Sequence, residues 1–313
     1  MESFNTAFTV GSVSLTWSAI MLVLGILVAV IVSEILVKKR GLYKDLALDA
    51  CIVGIPAGLV GARLFSALSG KIPFSAFFDL TVGGLNLPGA LLFAGVGIAI
   101  YTRIKKLPLG KALDALIPGA MFGLAVGRWA DFFLCEGLGP IADDAVPKFF
   151  PLCTFTAQFF RDGQTVAFAV FFLDFLVCLA LGVAALLLNK KLSDSKTARA
   201  VILVYLFAEF ILEWLRDGST RQIVFGEVRF NQIVLLGMLL FFVCLSLAIA
   251  KREPAPSAEP AGEPEAPEEA EAPEESESPD EPEAPEQPDE PEAAEAPEQP
   301  DAPETPEKEQ TEA

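Results

Sequence analysis

Seven apolar stretches punctuate the first 250 residues, near 14–37, 46–66, 84–102, 112–134, 165–188, 199–215 and 231–250. Each approaches the roughly 20 residues that carry a helix across a bilayer, and short polar segments separate them. The pattern predicts an all-α polytopic membrane protein with seven transmembrane helices, the shorter ones tilted or broken. No cleavable leader is expected. The first 13 residues hold no Lys or Arg, and the first span runs straight into Lys38-Lys39-Arg40.

The polar positions between the spans set an orientation. One set of connections carries Lys38, Lys39, Arg40, Lys44, Arg103, Lys105, Lys106, Lys111, Lys190, Lys191, Lys196, Arg199, Lys251 and Arg252, which is 14 bases, whereas the alternate loops carry six. Basic loops stay in the cytoplasm, so the N-terminus is expected outside and the C-terminus inside.

Polar positions inside the spans are the next signal, because an ionisable side chain there costs about 2.5–3.5 kcal/mol on insertion scales and usually faces a bundle interior or an aqueous cavity. Arg63 closes the second span. Asp114 opens the fourth, Arg128 follows on a similar face, and Asp131 is three residues further. In the sixth, Tyr205, Glu209 and Glu213 recur at i, i+4 and i+8, with Arg216 three residues on, so all four share one helix face. Two acids one turn apart need a neighbouring cation or a raised pKa on one of them, and Arg63 and Arg128 are the cations available outside that helix. A polar chamber opening toward the outer face, walled by spans two, four and six, is expected.

Composition divides the chain in two. The formal net charge is -18, yet from Glu253 onward there are 24 acids and one lysine, so the first 252 residues are net basic. Fifteen of the 23 prolines also follow residue 252. Residues 1–252 are therefore read as the membrane domain and 253–313 as a Pro/Glu-rich acidic tail, expected to be disordered, cytoplasmic and a solvating spacer. Of the five cysteines, Cys51, Cys178 and Cys244 fall in spans. Cys135 and Cys153 fall in or beside the long outer loop, where an oxidising exterior permits a disulfide.

The chemistry is narrowed by what is missing. There is no histidine in the chain, which removes the commonest general base and metal ligand, so no metal or cofactor is expected. No P-loop, GxSxG or dinucleotide fingerprint occurs, and no nucleic-acid partner is implied. Arginine offers a planar fork suited to phosphate, and carboxylates can deprotonate a nucleophile. Transfer from a lipid phosphate ester is the reaction class these residues suggest. A small-solute transporter fits less well, since the body shows no internal repeat.

The stretch GRWADFFLCEGLG at 127–139 resembles the signature GRxGNFxNxExxG of the prolipoprotein diacylglyceryl transferase family, with Gly127, Arg128, Phe132, Glu136 and Gly139 on matching positions. GARLF at 61–65, GGLNLPGA at 83–90, DALIPGAMFGLAVGR at 114–128 and LEWLR at 212–216 follow the family's order, and Gln158 and Gln232 also suit family positions. The resemblance covers about residues 14–250. It implies a seven-span enzyme of the bacterial cytoplasmic membrane that moves the diacylglyceryl group of phosphatidylglycerol to the lipobox cysteine thiol of a prolipoprotein signal peptide. By the same resemblance Arg128 binds the phosphatidylglycerol headgroup, and Arg63, Asp114, Glu136, Tyr205, Glu213 and Arg216 match polar positions of the family's chamber. From the charge pattern Arg63 is read as a second headgroup residue, and Asp131 and Glu209 as part of the same chamber. A monomer is the default.

The sequence also departs from the family. Pro88 stands where a histidine is usual, Asp131 and Leu134 replace signature asparagines, Ala130 replaces a glycine, and Glu209 replaces an arginine. Phe155 and Phe160 stand where His and Tyr are typical. These changes leave a noncatalytic relative that binds phospholipid or lipoproteins as the alternative.

Overall fold

A computed structural model describes residues 2–10, 13–79, 83–143, 145–191, 195–216, 223–225 and 228–250. The acidic tail lies outside the described residues. Seven long helices dominate: α2 (Trp17–Lys39), α3 (Leu46–Leu68), α4 (Leu87–Ile104), α5 (Leu109–Gly127), α8 (Val170–Leu188), α9 (Lys196–Leu215) and α10 (Phe230–Ala250). Three short ones, α1 (Glu2–Asn5), α6 (Trp129–Leu134) and α7 (Phe159–Asp162), complete the helical set among the described residues, with a 3-10 turn at Phe74–Ala76.

Among the described residues six helices are long and apolar enough to cross a membrane, with α5 and α6 counted as one run over Leu109–Leu134. The helix α9 is not among them, because it carries Lys196, Arg199, Glu209 and Glu213. The outward faces carry exposed Leu22, Ile31, Ile52, Leu240, Phe241 and Leu247, as lipid-facing surfaces require.

The described residues are mostly helical, as an all-α polytopic fold requires, with short hairpins at the span ends. Among the described residues there are three two-stranded antiparallel sheets: β1 (Thr6–Val10) with β2 (Val13–Thr16), β3 (Cys153–Phe155) with β4 (Val166–Phe168), and β5 (Ile223–Phe225) with β6 (Val228–Arg229). They shorten two of the expected spans. Residues 13–16 are strand, and Thr16 then caps α2 by accepting a hydrogen bond from the Ala19 N–H at 3.2 Å. Residues 166–168 are strand too, so the fifth span starts at Val170. Alternating β-branched and aromatic residues near a span end extend the apolar run without being helical.

Small residues hold the bundle together. A Cβ on Gly89 in α4 would lie 2.6 Å from the Gly61 carbonyl oxygen of α3, and one on Gly25 in α2 would lie 2.6 Å from the Gly123 carbonyl oxygen of α5. Only glycine lets these backbones approach so closely. The helix α5 also packs on α8, and α9 lies against α8 and α10.

The two ends of the bundle are chemically distinct. At one end Asp114, buried in α5, accepts backbone hydrogen bonds from Ser195 at 2.6 Å and Ala198 at 2.7 Å and pairs with Arg40 at 3.6 Å. Asn189 donates to the Asp114 carbonyl at 2.8 Å. This end carries the basic connections. The other end holds the starts of α4, α8 and α10, the ends of α3, α5 and α9, and the hairpins.

Candidate active site

The chain breaks between α5 and α6, and the break positions the site. Arg128 sits at the junction with 7% of its surface exposed. The helix α6 ends at Cys135 in the left-handed region (φ 51°), and the Glu136 N–H then folds back onto the Asp131 carbonyl at 2.9 Å. That turn delivers Glu136 to the wall of a cavity of about 500 Å³.

Two arginines and four carboxylates meet beneath this cavity. Arg128 Nη2 contacts Glu209 Oε1 directly, and Arg128 Nη1 lies 3.6 Å from Asp131 and 3.7 Å from Asp174. Arg216 Nη2 donates to Asp174 at 2.5 Å and lies 3.3 Å from Glu209, while its Nη1 donates to Glu213 at 2.8 Å. Two cations against four acids give the cluster a formal charge of −2. Glu213 is held from a third side: Asn86 donates to Asn231 at 2.6 Å, and Asn231 reaches Glu213 at 3.5 Å. Trp129, flanked edge-on by Phe132, Phe171, Phe172 and Phe175, supplies an apolar wall next to Arg128. Such a buried ionic network contributes little to stability by itself, since desolvation offsets much of its Coulomb energy. Its geometry suits binding a charged ligand.

Most of the sequence-selected residues converge here. Arg128, Asp131, Glu136, Glu213 and Arg216 line the cavity. Glu209 lies beneath it and, with the buried Tyr205, lines a narrow slit bounded by Pro88, Leu91 and Met238. Glu136 is exposed to the cavity.

Two residues are not brought in. Asp114 shares a helix face with Arg128 but lies 14 residues earlier, about 21 Å along the axis, and its carboxylate is consumed in capping α9. Arg63 is 3% exposed and donates through Nη2 to the Asp79 carbonyl at 2.8 Å, outside the cavity lining. The walls also differ from those expected. Spans four and six contribute, but the segment after α3, the start of α4, the β3–β4 hairpin, the end of β6 and the start of α10 also line it, through Ser69, Lys71, Asn86, Pro88, Thr156, Gln158, Arg229 and Asn231. Helix periodicity reports a face and not which neighbours it meets.

Asp174 is the main residue missed. It is fully buried and touches both arginines. The lone acid inside VFFLDFLVCL was the available signal. Cys135 and Cys153 are both free thiols, and burial pushes each above its ordinary pKa.

The family profile described as prolipoprotein diacylglyceryl transferase matches residues 5–248. The chain belongs to this family. Among curated relatives it is similar to the phosphatidylglycerol–prolipoprotein diacylglyceryl transferase of Clostridium kluyveri, 29% identical over 250 residues, covering 76% of this chain and 95% of that protein. It is 28% identical over 257 residues to the enzyme of the same name from Enterococcus faecalis, covering 80% and 91% of the two chains. A Clostridium perfringens relative is 27% identical over 259 residues, covering 78% and 94%. These relatives are named as transferases, and the apolar helices are those of a membrane protein.

Proposed function

We propose that this chain transfers the diacylglyceryl group of phosphatidylglycerol to a cysteine thiol of a prolipoprotein. The observation that carries the reading is the convergence of Arg128, Arg216, Glu136 and Glu213 on one cavity at the end of the bundle opposite the basic connections. In the reaction the acceptor sulfur attacks the glyceryl carbon that bears the phosphate. A C–S bond forms, the C–O bond to phosphorus breaks, and glycerol phosphate leaves with the bonding pair. Arg128 and Arg216 offset the charge on that phosphate. Glu136, open to the cavity, receives the thiol proton. A thiol with an ordinary pKa near 8.5 is already a few per cent ionised at neutral pH, so a carboxylate base suffices.

The remaining roles follow the same geometry. Asp174 and Glu213 orient the two arginines, Asp131 and Glu209 tune their charge, and Tyr205 closes the slit beside Glu209. Arg63 supports the headgroup site from behind by holding the segment that carries Lys71. Seven spans cross the bacterial cytoplasmic membrane, with α9 as the polar one shielded by α8 and α10. The N-terminus lies outside. Residues 1–252 form the membrane domain, and residues 253–313 follow the last span into the cytoplasm. The acceptor is the lipobox cysteine of a signal peptide reaching the cavity from the outer face, and the working unit is a monomer.

One observation favours a second reading. Pro88, at the position of the family's usual histidine, lines the cavity, and Glu209 occupies Arg128. Both changes weaken the expected chemistry, as in a relative that binds lipid or lipoprotein without turnover. Complementation of a transferase-depleted bacterium separates the two. Lipid attachment restored by the wild-type chain and lost with Arg128→Ala supports the enzyme. No attachment by wild type, restored by Pro88→His with Glu209→Arg, supports the noncatalytic reading.

A further inference from the structure

Four cations line the cavity: Lys71, Arg128, Arg216 and Arg229. Arg128 and Arg216 sit among carboxylates, and Arg229 donates to the Trp214 carbonyl at 3.4 Å. Lys71 stands apart. It is exposed, and among the described residues its ammonium group pairs with no carboxylate. Its backbone, by contrast, is fixed. The Lys71 N–H donates to the Ser66 carbonyl in the last turn of α3 at 2.9 Å, and the next residue, Ile72, is buried. From the other side the lysine stem lies against Gly84, whose backbone has φ 98°. A Cβ there would come within 3.4 Å of Lys71 Cδ and 3.3 Å of Ile72 Cγ2. Glycine alone combines that conformation with so close an approach. Two residues on, the buried Asn86 accepts the Gly89 N–H at 3.0 Å and donates to Asn231 at 2.6 Å. Two anchored segments thus hold this lysine at the cavity wall.

We propose that Lys71 binds the phosphate of the lipid headgroup, adding positive charge at the cavity wall where the charge of Arg128 and Arg216 is offset by acids. The assignment rests on reading the cavity as a phospholipid headgroup site. Two arginines against four carboxylates leave the cluster beneath the cavity net negative, so an approaching anion meets guanidinium groups whose field is cancelled from below. A phosphodiester carries one negative charge. The glycerol phosphate that leaves carries more at neutral pH, since the second pKa of a phosphate monoester is about 6. An ammonium group beside it offsets both states. Lysine acts as a point charge on a flexible stem, so this position supplies charge and not a planar fork.

The test is equilibrium binding to the full-length protein in nanodiscs of phosphatidylcholine. Short-chain phosphatidylglycerol, short-chain phosphatidylcholine, glycerol phosphate and inorganic phosphate are titrated separately into wild type, Lys71→Gln, Lys71→Arg and Lys71→Glu, each normalised to its folded fraction. For wild type the expected result is binding of phosphatidylglycerol well ahead of phosphatidylcholine. Lys71→Gln raises the Kd for phosphatidylglycerol about 3- to 10-fold, and Lys71→Glu raises it further. Lys71→Arg, which keeps the charge, stays within about twofold of wild type. Phosphatidylcholine, whose phosphate has its own choline cation, responds less. Added salt weakens wild type more than Lys71→Gln, because the contact is open to water. Glycerol phosphate follows the same order if the phosphate alone is read, whereas an effect confined to phosphatidylglycerol means that the lipid places it. Either pattern supports the role. Equal affinity of wild type and Lys71→Gln for phosphatidylglycerol overturns it, as does a wild type that binds the two lipids equally. A loss in Lys71→Arg as large as in Lys71→Gln also overturns it, since charge is then not what is read. Inorganic phosphate bound as tightly as phosphatidylglycerol overturns it too, because the site then takes a free anion and not a headgroup. Lys71-dependent binding without any thioether formation sinks the transferase reading and leaves this one standing. Thioether formation with an affinity indifferent to Lys71→Gln does the reverse.

Discussion

Glu209→Gln isolates the feature that most distinguishes this site. The substitution keeps the shape of the side chain and removes one negative charge that touches Arg128 and lies 3.3 Å from Arg216. At an effective dielectric of about 20, a unit pair at that second distance is worth about 5 kcal/mol before desolvation. Repulsion from Asp174 and Glu213 offsets part of this. Breaking a buried pair costs about 3–5 kcal/mol, and the surplus of acid favours the lower end, about 3 kcal/mol. For a domain of this size that is a fall in Tm of roughly 6–12 °C. The effect on ligand runs the other way. A phosphate on the open edge of Arg128, about 5 Å from the Glu209 carboxylate, is repelled by about 3 kcal/mol per unit charge at the same dielectric. With water in the cavity weakening this, the variant should bind phosphatidylglycerol about 10- to 100-fold more tightly while being less stable. Melting in nanodiscs and a Kd titration with short-chain phosphatidylglycerol read the two effects separately. A variant that melts lower yet binds no tighter refutes the idea that Glu209 competes with the headgroup for Arg128.

Asp114→Ala should cost about 3 kcal/mol by freeing Arg40 and uncapping α9, while the KM for phosphatidylglycerol stays within about twofold because the sites are remote. A tenfold rise in KM per folded molecule would return Asp114 to the site. Gly89→Ala should destabilise by about 1–3 kcal/mol, since its Cβ would press on the Gly61 carbonyl, and urea or thermal melting in detergent checks it. Cys135 lines the cavity with its thiol pKa raised by burial. The thiolate is the reactive form, so maleimide labelling should be slow at pH 7 and rise about tenfold per pH unit below the titration point. Saturating phosphatidylglycerol should protect it, and labelling at a rate independent of pH would contradict the assignment.

Much of this protein was legible along the chain because the decisive signals are local. A helix that crosses lipid must satisfy its own backbone and present apolar side chains, so the long helices announce themselves in hydropathy. The period of 3.6 puts Tyr205, Glu209, Glu213 and Arg216 on one face whatever surrounds them. The signature around Arg128 and Glu136 is local too, and both residues line the cavity. What the chain alone left open is depth and neighbourhood. Asp114 and Arg128 share a face, yet the length of α5 puts them at opposite ends, one capping α9 and the other facing Asp174. Asp174 lies on α8, which meets α5 where Gly182 faces Phe122, and Arg229 and Asn231 lie where the β5–β6 hairpin turns into α10. Periodicity fixes the direction in which a side chain leaves its helix. Only packing decides which charge it meets there, and in a medium of low dielectric that encounter determines whether an arginine is a clamp for phosphate or a partner for an acid.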